Sequence, residues 1–212
     1  MLNRFITALV GAALTLTPAI YAQGNLWTIA PLDSSANFTV KHLVFTTERG
    51  SMSGMKGTVV YDPKDPAKDV VDVTLSVSTL NTNNAKRDEQ VKTDFFEVAK
   101  FPVVAFKSTK VVSAGDRKLT LMGNLTIKGI TRPVVLAVDG PFPPVKDAQG
   151  RTKIGVQATT KISRKDFGIV GTALDSAVDA GGIVVSDEVD LELDIELVSP
   201  SQAGIVGPAK PK

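Results

Sequence analysis

The chain has 212 residues, no cysteine, one histidine, 43% hydrophobic residues, and 24 Lys and Arg against 22 Asp and Glu. A balance this even provides no strong field for nucleic acid, and no Lys/Arg stripe with interleaved aromatics occurs. With no cysteine there is no disulfide staple, and one histidine cannot complete a tetrahedral zinc site of the usual ligands.

The first element is a leader. Arg4 precedes an uncharged apolar run from Phe5 to Leu16, then Pro18, then the small residue Ala22 ahead of Gln23. That order is the signature of a secretory signal peptide over residues 1–22, and the run is shorter than the ~20 residues of a membrane helix. No other apolar segment reaches that length, so the reading is a soluble exported domain over residues 23–199, periplasmic or secreted.

Beyond the leader, apolar residues recur at every second position, the period of strands with one face buried. "ANFTVKH" sets Ala36, Phe38 and Val40 against Asn37, Thr39 and Lys41. "GTVVYD" follows, and "VVDVTLSVSTL" aligns Val71, Val73, Leu75 and Val77. One helix interrupts the strands in "NNAKRDEQVKTDFFEV". An Asn caps its start, Asp88 and Glu89 lie near the positive end of its dipole, and Val91, Phe95 and Val98 share a face.

Strands then resume. "PVVAFKSTKVV" leads to "KLTLMGNLTI", which aligns Leu119, Leu121, Gly123, Leu125 and Ile127. "RPVVLAV" aligns Val134, Leu136 and Val138, and "KIGVQATTKI" aligns Ile154, Val156, Ala158 and Ile162. In "DEVDLELDIELV" the acids Glu188, Asp190, Glu192, Asp194 and Glu196 occupy one face and Val189, Leu191, Leu193, Ile195 and Leu197 the other. Acids spread along an open strand face stay in water, whereas acid/base pairs and metal ligands converge in a cleft. This strand is therefore a wall, apolar inside and wet outside, and a neighbour bearing Lys153, Gln157 and Lys161 answers its charge. The tail, residues 200–212, is rich in Pro, Gly and Lys without periodicity and reads as disordered.

About eight strands joined by turn signals such as Asp62-Pro63, Lys128-Gly129 and Pro143-Pro144 predict an all-β fold, an antiparallel barrel or sandwich. An eight-stranded barrel is just wide enough to be filled by side chains or to hold one small ligand. The inward positions are mostly Val, Leu, Ile, Ala and Gly, and the pattern alone leaves a lumen and a solid core equally open. Catalytic templates lack parts: His42 has no evident nucleophile or orienting acid, no G-x-S-x-G surrounds a serine, and no nucleotide loop is present.

The ordered set of "FTVKHL" (38–43) with "RG" (49–50), "RDEQVKTDFFEVAKFPVVAFKST" (87–109), "GNLTIKGITRPVVL" (123–136), "ISRKDFGI" (162–169) and "VSDEVDLELDIEL" (185–197) resembles the YceI-like family. Where members of that family often carry D-x-x-H-S, this chain has "APLDSS", with Ala30 and Asp33 in place of the acid and the histidine. The resemblance implies a lipocalin-like, eight-stranded extended antiparallel barrel with one short helix. It also implies a non-enzymatic protein that needs no cofactor beyond its guest, a long-chain polyisoprenoid, isoprenoid quinone or fatty-acyl lipid.

On that reading the lumen is lined by Phe38, Val40, Val73, Leu75, Phe95, Phe96, Phe106, Leu121, Leu125, Leu136, Val156, Phe167, Leu191 and Leu193. His42, Arg49, Arg87 and Arg164 are candidates for a rim that meets the headgroup. Each has a structural alternative: Arg87 beside Asp88 and Arg164 near Asp166 as loop ties, Arg49 as a turn residue, His42 as a hydrogen-bonded strand end. An enzyme acting on a lipid, a ligand-free envelope protein and a homodimer also remain open.

Overall fold

Eleven strands and one short α-helix form from these patterns in a computed structural model that describes residues 25–43, 45–171 and 185–199. The leader, the tail and residues 172–184 lie outside the described residues. The strands are β1 (Leu26–Ile29), β2 (Ser35–His42), β3 (Thr46–Ser53), β4 (Lys56–Val60), β5 (Val70–Ser76), β6 (Val103–Gly115), β7 (Lys118–Ile127), β8 (Ile130–Asp139), β9 (Val145–Lys146), β10 (Thr152–Ser163) and β11 (Glu188–Val198).

All pairings are antiparallel, and β10 against β11 closes the sheet into a barrel. Two of the ring positions are broken strands. β1 and β2 pair with successive stretches of the same edge of β11, and β4 and β3 pair in turn with β1 and β2. Counting each broken pair once, the ring has eight positions, and β9 is a short flap on β10. The sequence hides β1 and β3 because "LWTI" is only four residues long and "TTERGSMS" has few apolar side chains to alternate.

Side-chain chemistry fixes the register. The acidic face of β11 meets β10 with Lys161 opposite Asp190 and Gln157 opposite Asp194. Lys161 binds Glu188 at 2.5 Å, Lys153 binds Glu196 at 2.6 Å, and the Gln157 amide donates to Asp194 at 3.0 Å. A slip of one residue would turn these carboxylates inward, so register and burial enforce each other. The hairpin between β7 and β8 turns on Lys128 and Gly129, both with positive φ (50° and 72°), as a two-residue loop of this type requires.

Helix α1 (Ala85–Gln90) is capped by Asn84, whose side chain accepts the Arg87 N–H at 3.1 Å. It widens into one π-type turn over Val91–Phe95. The wider turn changes which residues share a face. The inward set is Val91, Phe95 and Phe96, and Val98 falls beyond the helix. Asp88 accepts both the backbone N–H and the hydroxyl of Thr82, at 2.7 and 2.6 Å, and so ties the helix start to the preceding loop.

Most of the buried apolar residues fall into three clusters around the ring. Ile29, Met52, Met55, Leu75, Leu80, Ile154 and Leu197 form one, Leu125, Ile127 and Phe167 a second, and Leu136, Val138 and Ala158 a third. Packing runs sideways from strand to strand around the wall.

Candidate functional site

The alternating faces enclose a cavity of about 330 Å³, within the span of about 300–1,000 Å³ usual for small-molecule pockets. Of the two interiors that the pattern leaves open, the barrel has the hollow one. On β11 the cavity touches Val189, Leu191, Leu193, Ile195 and Leu197, the whole aliphatic face, and on β10 it runs from Ile154 to Ile162 and on to Arg164. At about 3.3 Å per residue this is about 33 Å of strand, or roughly 25 Å along the axis at a tilt near 40°.

Two phenylalanines show why the lumen stays open. Phe38 on β2 faces Gly50 on β3, and Phe106 on β6 lies against Gly123 on β7. A Cβ at either glycine would overlap the facing ring. Each ring therefore lies flat over a glycine of the neighbouring strand, an aromatic cover over bare backbone. Side chains that would otherwise cross the lumen become part of its wall.

Of the apolar positions expected in the lumen, Phe38, Val40, Val73, Leu75, Phe95, Phe96, Phe106, Leu121, Leu125, Leu136, Val156, Leu191 and Leu193 line it. Phe167 does not. It ends a short 3-10 turn, Arg164–Phe167, and is 1% exposed against Leu125 and Ile127 outside the cavity. Phe45, at the tip between β2 and β3, is 87% exposed.

The cationic and imidazole candidates do not gather at one mouth. His42 ends β2 and bridges to Val185, with its Nδ1 at 3.5 Å from the Thr46 hydroxyl. Arg49 sits mid-strand on β3, facing outward into a polar groove with Asn37, Thr39, Asp190 and Glu192. Arg87 binds Glu48 at 2.6 Å and donates to the Thr82 hydroxyl and carbonyl, which fastens α1 to β3 away from the lumen. Its partner is Glu48, because Asp88 is already occupied by Thr82.

Arg164 does touch the lumen, at 3% exposure, but its guanidinium is committed. It donates to the carbonyls of Ile169 (2.7 Å), Ser186 (3.0 Å) and Val185 (3.1 Å) and to the Asp187 carboxylate (3.0 Å). The tie that the sequence suggests with Asp166 is made with Asp187. This buried cation locks the chain after β10 to the chain before β11.

Tyr61 and Asp69 also line the lumen, at its other end, and sequence reasoning passed over both. Register places them there: Val70 pairs with Val60, Val60 with Leu26 on β1, and Ile29 with Leu197, which lies opposite Ile154 near the start of β10. Burial pushes the Asp69 carboxyl up to about 6, aided by the nearby charges of Asp62 and Asp65 and opposed by a 2.7 Å hydrogen bond from the Asp62 N–H. Burial raises the Tyr61 phenol too, with the charges of Asp69 and Asp62 acting in the same direction. Thr160, the remaining polar side chain on the wall, donates to the Val135 carbonyl at 2.8 Å.

The pattern of the YceI-like domain matches residues 27–197. The chain belongs to the YceI-like family. A curated relative within that family, Protein YceI of Salmonella newport, is 37% identical over 167 residues, covering 76% of this chain and 78% of the relative. The crystal structure of the YceI protein of Campylobacter jejuni is 27% identical, with a TM-score of 0.61, covering 76% of this chain and 90% of that one. A polyisoprenoid-binding domain from Saccharophagus degradans shares the fold at 15% identity and a TM-score of 0.61, covering 82% of this chain and 98% of that one. The structural neighbours are YceI and lipocalin-like barrels, as this chain is a closed eight-stranded antiparallel barrel with extra strands and one short helix. No helix among the described residues is long and apolar enough to cross a membrane.

Proposed function

We propose that this chain is an exported, non-enzymatic binding protein that holds a long-chain amphiphile, with its apolar tail threaded along the barrel lumen, for transport, storage or sequestration. The observation that carries this reading is a single cavity running the length of β10 and β11, with walls almost wholly aliphatic and aromatic. An acyl tail in one leaflet of a bilayer spans about 15 Å, half of a hydrocarbon core of about 30 Å. A lumen of roughly 25 Å suits a longer chain, and polyisoprenoids are such chains. The Saccharophagus degradans domain named for polyisoprenoid binding has the same fold and supports the same class of guest.

The energetics are adequate. Burying about ten methylene groups at ~0.8 kcal/mol each yields ~8 kcal/mol gross, on the scale of micromolar binding before ordering costs. The leader supports export to the periplasm or the medium.

Organic extraction of the purified chain followed by mass spectrometry tests this reading. A stoichiometric isoprenoid or acyl lipid is expected. Repeated recovery of none, together with no rise in melting temperature on adding prenyl or acyl chains, would overturn it.

A further inference from the structure

We propose that the guest enters the lumen sideways, through a seam in the wall between β8 and β10, with the Thr160 hydroxyl as its latch and Phe167 as its plug. The inference rests on the lumen being a lipid site and adds the route by which a long chain reaches it.

The seam lies where one ladder stops short. The two-residue turn at Lys128 and Gly129 makes Ile127 and Ile130 the closing pair of the β7–β8 hairpin, so Pro133, Val135, Ala137 and Asp139 turn their backbone groups away from β7 and toward β10. Asp139 pairs with Gln157 and Ala137 with Thr159, and there the pairing ends. Yet β8 stays beside β7 back to Ile130, and β10 stays beside β11 on to Ser163. Continued register would set Val135 opposite Lys161 and Pro133 opposite Ser163. Pro133 has no N–H to offer across the gap, as suits a strand edge. The Val135 carbonyl is met instead by the Thr160 hydroxyl, at 2.8 Å.

Beyond Thr160, side chains close the wall in place of backbone. The Arg164–Phe167 turn seats Phe167, 1% exposed, in a cluster with Val134 of β8 and Ile162 of β10. A ladder opens only by breaking several bonds together, whereas a side chain swings aside by rotation. Val134, Leu136, Thr160 and Ile162 all line the lumen, so the seam leads straight into it. Its outer lip on β8 is apolar as well. Val135 is 55% exposed and lies opposite Met122 of β7, with Val112 of β6 and Ala137 on the same outer face. A tail meets apolar side chains on that lip, in the seam and within the lumen, so its contact with water falls at each stage.

The chain has no cysteine, so introduced pairs can staple the wall selectively. Val135→Cys with Lys161→Cys, joined by a bis-maleimide, ties β8 to β10 across the gap. Asp139→Cys with Gln157→Cys ties the same strands where the ladder already holds. Uptake of radiolabelled geranylgeraniol and squalene from phosphatidylcholine vesicles is timed for each delipidated form. The staple across the gap is expected to slow uptake about tenfold or more with the same final occupancy, and the staple in the ladder to leave the rate unchanged. Thr160→Val, which removes the latch and keeps the wall apolar, is expected to quicken uptake severalfold. This variant alone decides the matter should a cysteine pair fail to fold. Equal rates for the two staples, a fall in final occupancy, or an unchanged rate in Thr160→Val overturns the seam as the route, while uptake itself keeps the lumen reading intact. Failure of the unaltered chain to take up either probe overturns the lumen reading and this inference with it.

Discussion

Arg164 and Asp69 stand at opposite ends of one lumen and are held in opposite ways. Arg164 is almost fully buried, and its guanidinium donates to three carbonyls and a carboxylate. Asp69 is half-buried, and its carboxylate takes one backbone donor, the Asp62 N–H. The contrast shows that a charged side chain on a cavity wall is defined by what already occupies its hydrogen bonds. Arg164 is a fastener whose loss is felt in stability, whereas Asp69 weakens the fold when ionised.

The largest effect is expected at the fastener. Arg164→Ala leaves three carbonyls without their donor and Asp187 with Lys165 alone, and should cost about 3–5 kcal/mol in urea unfolding. Arg164→Lys should recover little, because an ammonium cannot reproduce the planar fork. An unfolding midpoint within error of the unaltered chain would remove the distinction between the two ends.

Asp69→Asn should move stability the other way. The folded carboxyl is raised to about 6 from an ordinary value of 3.8, so between these values the folded state binds more protons than the unfolded one. Unfolding free energy of the unaltered chain therefore falls as pH rises from about 4 to about 6 and is flat above. The variant lacks that loss. It should match the parent below pH ~4 and exceed it at neutral pH by about 1–3 kcal/mol, allowing for solvent at a half-buried site. A difference that does not vary with pH would show that Asp69 is not penalised by the lumen.

Gly50→Ala tests how the wall stays thin. The methyl group drives the Phe38 ring off β3 and into the lumen, with an expected cost of about 1–2 kcal/mol and weaker uptake of squalene. Unchanged uptake would mean the ring relaxes elsewhere. The smallest effect belongs to the outer face: Glu192→Gln should stay within about 0.5 kcal/mol and leave lipid content unaltered.

The alternation of β10 and β11 was legible because a period of two with charges on one face admits few other readings. The lumen's aliphatic lining followed from it. The helix stripe was misplaced by one π-type turn, which puts Phe96 inward where regular helical spacing favours Val98. Phe167 was unreadable because its 3-10 turn follows the strand and carries its own packing direction. The polar residues were hardest, since a cation beside an acid in sequence need not pair with it in space: Arg87 takes Glu48, and Arg164 takes Asp187. Tyr61 and Asp69 did leave a signal. Stepping the period of two forward from Val59 and back from Val71 lands on them, but the turn-forming prolines at 63 and 66 mark the segment as a loop.

The most direct test of the account is where a bound chain lies. In the methyl-labelled protein titrated with geranylgeraniol, nuclear Overhauser contacts from the prenyl chain should reach the methyls of Val73, Leu121 and Leu193 inside the barrel and none of the outward Val112 and Val135. Contacts confined to Val112, Val135 or other outer positions, with the inner methyls unmoved at saturating prenol, would contradict it.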